Sequence, residues 1–400
     1  MQHIAYILLC LLVSVSLWGQ ADYVGKAQAN PPTDSIDRDA EDFVIASLLV
    51  VDPGKVLYSV TGHACIRMQC PAYGLDYCFS YESEAVEHRV ADFLAGKLYM
   101  GLFAIPLEEY CAPYREEGRG VYEYTFNLPI EVKRELWRLL DEEMMKGSMQ
   151  PYDYYHRGCA RGCVQFVQDA IGNATIDYDS TLYLHPYTAR ELGQLNSQQA
   201  PWVSFFCHFV GGTETDVPLY GADQLLVPID LARAWQQATY RGVPILQQER
   251  HTLVAGVPQY PQTKFTPMML AILLLLIALG NLFWKKPYID WCFLALQTAV
   301  GLCMTYLIFI SDLCCTSWNW LIIPFNPLPA AFWHWRKYWA LPYALLLAVW
   351  CIVMTITHLH FHMLCDWTHI VLVLSFFMLY TKQYITSNPN HQTYNHDKKG

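Results

Sequence analysis

The chain has 400 residues, 54% of them hydrophobic, and a formal net charge of -10. No basic run is available to neutralise phosphates, so nucleic acid is set aside as a partner. The first two-thirds are mixed in composition and the last third is strongly apolar, which divides a globular part from a membrane part.

Ile4 to Trp18 is a short apolar run followed by Gly19-Gln20-Ala21. It reads as a signal peptide over residues 1–21, with a retained N-terminal anchor as the alternative because His3 is the sole positive charge before it. In either case the following segment faces out of the cytoplasm. Residues 22–40 are a polar leader. A catalytic-core segment is expected over 41–180. It opens on Phe43 to Val51, a near-continuous apolar run that predicts a buried strand closed by the Asp52-Pro53-Gly54-Lys55 turn. Ala64 to Gln69 and Leu75 to Glu82 flank Pro71-Ala72-Tyr73-Gly74 and predict a hairpin whose first strand starts at His63. Val121 to Leu128 alternates like a half-buried strand. Pro129 then opens a helix with Val132, Leu136, Leu139, Leu140 and Met144 on one face.

The next stretch, Tyr152 to Ile171, leads from polar and aromatic residues into Gly158 and Cys159. Cys159, Cys163, Phe166, Val167 and Ala170 recur at helical spacing, which makes Cys159 the first residue of a core-facing helix. Residues 181–262 read as a helical companion, with a helix around Arg190-Glu191-Leu192, a turn at Gly211 to Asp216, and a helix from about Pro228 to Ala238.

From residue 266 the chain changes solvent. Crossing hydrocarbon takes ~20 apolar residues. About four spans are expected in 266–381, at 266–284, 289–310, 339–357 and 365–381. Lys285-Lys286 belongs on the cytoplasmic side, which leaves the preceding domain outside. Residues 311–337, with Pro324, Pro327, Pro329 and a cluster of Trp, read as an interfacial or re-entrant loop facing the outer leaflet, with a fifth short span as the alternative. Residues 382–400 read as a disordered tail.

Seven cysteines (Cys65, Cys70, Cys78, Cys111, Cys159, Cys163, Cys207) fall in the extracytoplasmic part, so full pairing still leaves one thiol. At a helix start, unpaired backbone N–H groups stabilise a thiolate and can hold a developing oxyanion, which favours Cys159. The base it needs is His63, preceded by Gly62, which opens room beside the ring. Taken alone, a Cys is more often an inert buried residue. Cys163, one turn inside the helix, is the alternative nucleophile. Ser80 and Glu82 share a strand face, and Glu82 is the candidate that orients the imidazole, against a bland role as a solvated carboxylate. Arg67, Arg157 and Arg161 are candidate lipid-phosphate contacts, with ordinary ion pairing the commoner duty. His358, His360 and His362 read as interfacial residues, because only His358 and His362 share a helix face. No cofactor and no metal ligand set is read.

Four stretches, in this order, resemble the Lnb N-terminal periplasmic domain family over about residues 40–260, with the apolar region similar to the Lnb C-terminal region. They are Gly62-His63-Ala64-Cys65-Ile66-Arg67-Met68-Gln69-Cys70-Pro71, Leu75 to Glu82, Tyr152 to Ala160, and Asn319 to Leu328. His on a strand before Cys at a helix start also resembles the circularly permuted papain-like enzymes, including the lecithin:retinol acyltransferase group. Gly162-Cys163-Val164-Gln165-Phe166-Val167 looks like the Cys motif of that group. Many members have Asn before the Cys where this chain has Gly158, so the second oxyanion donor is not carried over.

The resemblance implies an α+β fold, a permuted papain-like extracytoplasmic domain followed by an α-helical transmembrane region. It implies a multi-pass protein of the bacterial inner membrane whose catalytic domain faces the periplasm. The implied activity is lipoprotein N-acylation through a Cys159 thioester with His63 as base. The donor would be a membrane phospholipid or an ester already on the lipoprotein, and the acceptor the α-amino group of a diacylglyceryl-lipoprotein. A cell-wall cysteine peptidase or amidase, and a non-catalytic membrane scaffold, are the alternatives.

Overall fold

Strand β1 (Ile45–Val51) is buried from Ala46 to its end, so its sequence is a continuous apolar run rather than an alternation. The computed structural model describes residues 37–83, 89–284, 286–361 and 366–387. The signal peptide, nearly all of the leader, Lys285, His362 and residues 388–400 lie outside the described residues. From Asp39 onward the described chain is one compact unit.

After β1 come β2 (His63–Cys70) and β3 (Leu75–Ser83), joined through a 3-10 turn at Pro71–Tyr73 that ends on Gly74. Then follow α1 (Val90–Leu94), β4 (Tyr99–Pro106), α2 (Leu107–Glu117), β5 (Val121–Phe126), α3 (Ile130–Lys146), β6 (Gln150–Pro151) and α4 (Cys159–Ile171). The expected hairpin, the helix entered from Pro129 and the helix beginning at Cys159 are all present. The segment read as a helical companion holds β7 (Ile176–Asp177), α5 (Thr181–Leu184), α6 (Ala189–Asn196), α7 (Pro201–Val210), α8 (Pro228–Gln237), β8 (Thr239–Tyr240), β9 (Val243–Pro244) and β10 (Leu246–Val254). It is therefore not purely helical.

The main sheet is antiparallel in the order β10-β5-β1-β2-β3-β4-β6, so β10 returns from the companion segment to form one edge. Helices α3, α4 and α8 cover one face, where Leu136, Leu140, Val167 and Trp235 meet Leu48, Ile66 and Phe126. Tyr110 and Cys111 of α2 cover the other, against Leu49, Cys65 and Cys78. Glu123 on β5 is buried despite its charge because Arg67 on β2 donates to it at 2.9 Å.

The apolar third contains α9 (Pro267–Trp284), α10 (Pro287–Phe309), a short α11 (Leu328–Ala331), α12 (Arg336–Phe361) and α13 (Trp367–Ser387). Among the described residues four helices are long and apolar enough to cross a membrane. The stretch expected as an interfacial or re-entrant loop, with a fifth short span as the alternative, packs into the bundle. It runs back along α10: Thr316 donates to the Leu307 carbonyl at 2.9 Å, the Asn326 backbone lies against Gly301, and the Trp333 ring packs at a tilt on Trp291 with centroids 5.5 Å apart. It thus traverses the bundle instead of lying at one end, and α12 starts beside the end of α13, where Arg336 donates to Gln383 at 3.2 Å.

Prolines deny this stretch a continuous helix, so its carbonyls need outside partners. Gln297 of α10 donates to Pro324 O at 2.7 Å, Tyr343 OH lies 3.2 Å from both Ile323 O and Pro324 O, and Trp350 donates to Trp320 O at 3.2 Å. Helix α13 also continues past the expected start of the tail, because Lys382 is buried in an ion pair with Asp290 at 2.9 Å.

Helix α7 joins the two parts. Its Phe205 and Phe209 stack on His369 of α13, with ring centroids 4.6 and 6.2 Å apart, and Trp202 donates to Phe265 O at 2.7 Å. At its far end Asn319 donates to the carbonyls of Phe209, Val210 and Gly211.

Candidate active site

The site grows from three local requirements of the chain. Gly158 ends the incoming turn and caps α4 with no side-chain hydrogen bond, so the backbone N–H groups of the first turn stay available. Cys159 is the first helical residue and is half-buried. His63 opens β2 directly after Gly62, whose φ of +84° and close approach to the Val51 carbonyl admit no side chain. The glycine thus makes room at the backbone rather than beside the ring. The β2–β3 register, with Ile66 opposite Phe79 and Arg67 opposite Cys78, continues to set Ser80 and Glu82 on the face that carries His63.

The imidazole has two partners. Its Nε2 lies 2.8 Å from Ser80 Oγ, and the Ser80 hydroxyl donates to Glu82 Oε1 at 2.7 Å. The Ser80 oxygen therefore accepts from Nε2–H, which leaves Nδ1 without a proton and able to accept one. Glu82 stands 4.0 Å from Nε2 and acts on the ring through the hydroxyl. The residue that touches the ring is Ser80, whereas the strand-face argument favoured Glu82.

Burial pushes the Cys159 thiol up, but the His63 imidazolium, the hydrogen bond to it and the backbone N–H groups of Ala64 and Ala160 more than offset this and hold it below the usual thiol value. Burial pulls His63 down, and the Cys159 thiolate, their shared hydrogen bond and Glu82 overcome that against opposition from Arg119, so the imidazole is held above its usual value. A thiol held low and an imidazole held high are shifted in the directions that a nucleophile and its proton partner require. Cys163 is 5% exposed, and burial followed by the Cys159 charge keeps its thiol well above the usual range.

The pair opens on a cavity of about 530 Å³, within the ~300–1,000 Å³ of small-ligand sites. Phe93, Met100, Tyr152, Val203 and Phe206 give it an apolar wall that reaches α7, the helix wedged against the bundle. Arg119 also lines it, held by Asp52 O and Glu117 at 2.8 Å each and set over the Tyr114 ring at 5.0 Å. Its Nη2 is buried and has no hydrogen-bond partner among the described residues. No sequence signal marked Arg119, which sits between Gly118 and the start of β5 with no motif around it.

The arginines singled out from the sequence are engaged elsewhere. Arg67 is tied to Asp76 and Glu123, Arg157 to Gln150, and Arg161 to Asp223 at 2.8 Å. His358 packs edge-on against Trp367. The cysteines of the described residues are free thiols.

The family model described as the Lnb N-terminal periplasmic domain matches residues 33–194, which contain His63, Ser80, Glu82, Arg119 and Cys159. No curated protein and no solved structure matches the chain. A periplasmic domain together with four apolar helices fits a membrane protein carrying that domain.

Proposed function

We propose, from the premise that residues 33–194 belong to the Lnb N-terminal periplasmic domain family, that this chain is a membrane-anchored lipoprotein N-acyltransferase. The reading extends the match to a permuted papain-like catalytic domain, facing the periplasm from the bacterial inner membrane. It is supported by Cys159 and His63 together lining a mainly apolar cavity, part of whose wall is the helix packed into the bundle. An acyl chain can then approach the sulfur without leaving an apolar environment.

The reaction runs in two halves. The Cys159 thiolate attacks the acyl carbonyl of a lipid ester, and N–H groups at the start of α4 hold the tetrahedral oxyanion. The C–O bond breaks as the His63 imidazolium gives its proton to the leaving alkoxide, releasing a lyso-lipid and leaving an acyl thioester on Cys159. The α-amino group of the diacylglyceryl-cysteine attacks the thioester, the C–S bond breaks, and His63 takes the amine proton. Ser80 and Glu82 hold the ring and stabilise its charge through both halves. Arg119 supplies a positive charge in the cavity for the phosphate of a phospholipid donor.

Mass spectrometry of lipoprotein N-termini from cells lacking this protein tests the reading. Loss of the N-linked acyl group, restored by the wild-type chain and not by Cys159→Ala, is expected. Unchanged N-acylation rules it out in favour of a scaffold, and altered cell-wall peptides with intact N-acylation point to a peptidase or amidase.

A further inference from the structure

The turn that precedes Cys159 carries a cluster the acyl-transfer reading does not use. Asp153 receives the backbone N–H of Tyr155 at 3.1 Å and of His156 at 2.8 Å, and its other oxygen lies 2.8 Å from His156 Nδ1. The ring is thereby fixed with Nε2 pointing outward to Glu214 Oε1 at 2.9 Å. The Cys315 sulfur completes the group: the donor atoms of His156, Glu214 and Cys315 all lie within 4.8 Å of one another.

These donors come from three separate elements, namely the turn before α4, the 3-10 turn Thr213–Asp216 and the loop after α10. Cys315 takes a φ of +60°, a conformation that a side-chain-bearing residue adopts at a cost. Its carbonyl accepts from Gly212 N–H at 2.6 Å, which fixes this loop against the Glu214 turn.

We propose that His156, Glu214 and Cys315 bind one thiophilic divalent cation, Zn²⁺ in the first instance, which clamps the turn bearing the nucleophile to the loop leaving the membrane bundle. The donor set is one imidazole, one carboxylate and one thiolate, each a ligand type that zinc accepts. The carboxylate and thiolate together neutralise a 2+ ion, the thiol proton leaving to solvent as the metal–sulfur bond forms. Asp153 on the far nitrogen of His156 is the carboxylate–imidazole–metal arrangement that fixes the tautomer and ring orientation of a ligating histidine. The His156 and Glu214 side chains are each 44% exposed, which gives the ion an entry path and leaves a fourth position for water.

The test uses the full-length protein, reduced and stripped with chelator in detergent, then titrated with Zn²⁺ and with Co²⁺ as a spectroscopic probe. One equivalent per chain, with thiolate-to-Co²⁺ charge-transfer absorption, is expected in the wild type and in the Cys159→Ala and His63→Ala controls. Cys315→Ser should abolish the charge-transfer band, Glu214→Gln should weaken binding, and Asp153→Asn should weaken it about 10–100-fold. Each variant is checked for an unchanged far-UV spectrum and melting curve, so that loss of metal is separable from loss of fold. The proposal is overturned if the wild type binds no stoichiometric metal, as expected of a simple His156 ion pair. It is equally overturned if the charge-transfer band survives Cys315→Ser, or if it disappears in Cys159→Ala, which would place the ion at the active-site thiol.

Discussion

Two sets of polar side chains stand in apolar surroundings, one along the irregular crossing of the bundle and one at the start of α4, and they are used differently. In the bundle, Gln297, Tyr343, Trp350 and the Asp290–Lys382 pair are bonded to one another or to the carbonyls of the irregular crossing, so their capacity is used in holding the fold. At the start of α4 part of it is left open: the first-turn N–H groups have no side-chain cap, and an arginine nitrogen in the cavity has no partner among the described residues. Buried polar groups cost stability unless satisfied, so an unsatisfied set beside a cavity marks where a substrate completes the bonding. The contrast predicts that substitutions in the pocket lower activity at little cost in stability, and that substitutions in the bundle do the reverse.

The largest effect is expected from Cys159→Ala. It should lower N-acylation by about 10⁴-fold or more while leaving the melting curve of the purified protein near that of the wild type. A comparable loss of stability would erase the distinction between the two regions.

His63→Ala should lower the rate by about 10²–10⁴-fold, and its pH dependence sharpens the assignment. With Cys159 held below the usual thiol value, the thiolate forms at lower pH than an ordinary thiol and the rate rises early. With His63 held above its usual value, the imidazolium that protonates the leaving group survives to higher pH before the rate falls. Removing His63 takes away the charge that favours the thiolate, so alkylation of Cys159 by iodoacetamide should shift to higher pH. An unchanged alkylation profile would mean that the ring does not ionise the sulfur.

On the other side of the comparison, Lys382→Met removes the cation beside the buried Asp290 carboxylate and leaves it the Asn281 amide at 2.7 Å. Destabilisation of about 3–5 kcal/mol is expected in detergent denaturation, relieved when Asp290 is replaced by Leu in the same chain. Smallest in size, Ser80→Ala removes the two hydrogen bonds that link the ring to its carboxylate; the one to the ring is worth ~1 kcal/mol, and a five- to tenfold fall in rate is expected from steady-state kinetics.

Much of this was legible in the residues. Continuous apolar character announced β1, the turn at Pro71 to Gly74 announced the hairpin, and Gly158 followed by helical spacing placed Cys159 at a helix start. What sequence could not show depends on contacts between distant segments. β10 is mostly exposed, so no alternation revealed that it pairs with β5. The crossing between α10 and α12 has prolines and no period, and it is held by side chains from other helices. Ser80 and Glu82 shared a face, but only the ring position showed that the hydroxyl lies between histidine and carboxylate. His156, Glu214 and Cys315 are separated by whole domains of chain, and nothing in their spacing joined them.

The account turns on Cys159 carrying the acyl chain. Purified full-length protein in nanodiscs, given phospholipid with no acceptor and quenched in acid, should gain one hydroxylamine-labile acyl group that peptide mass spectrometry places on Cys159 and that Cys159→Ala lacks. An acyl group found on Cys163 instead, or N-acylation proceeding with no acyl-enzyme on any cysteine, would contradict it.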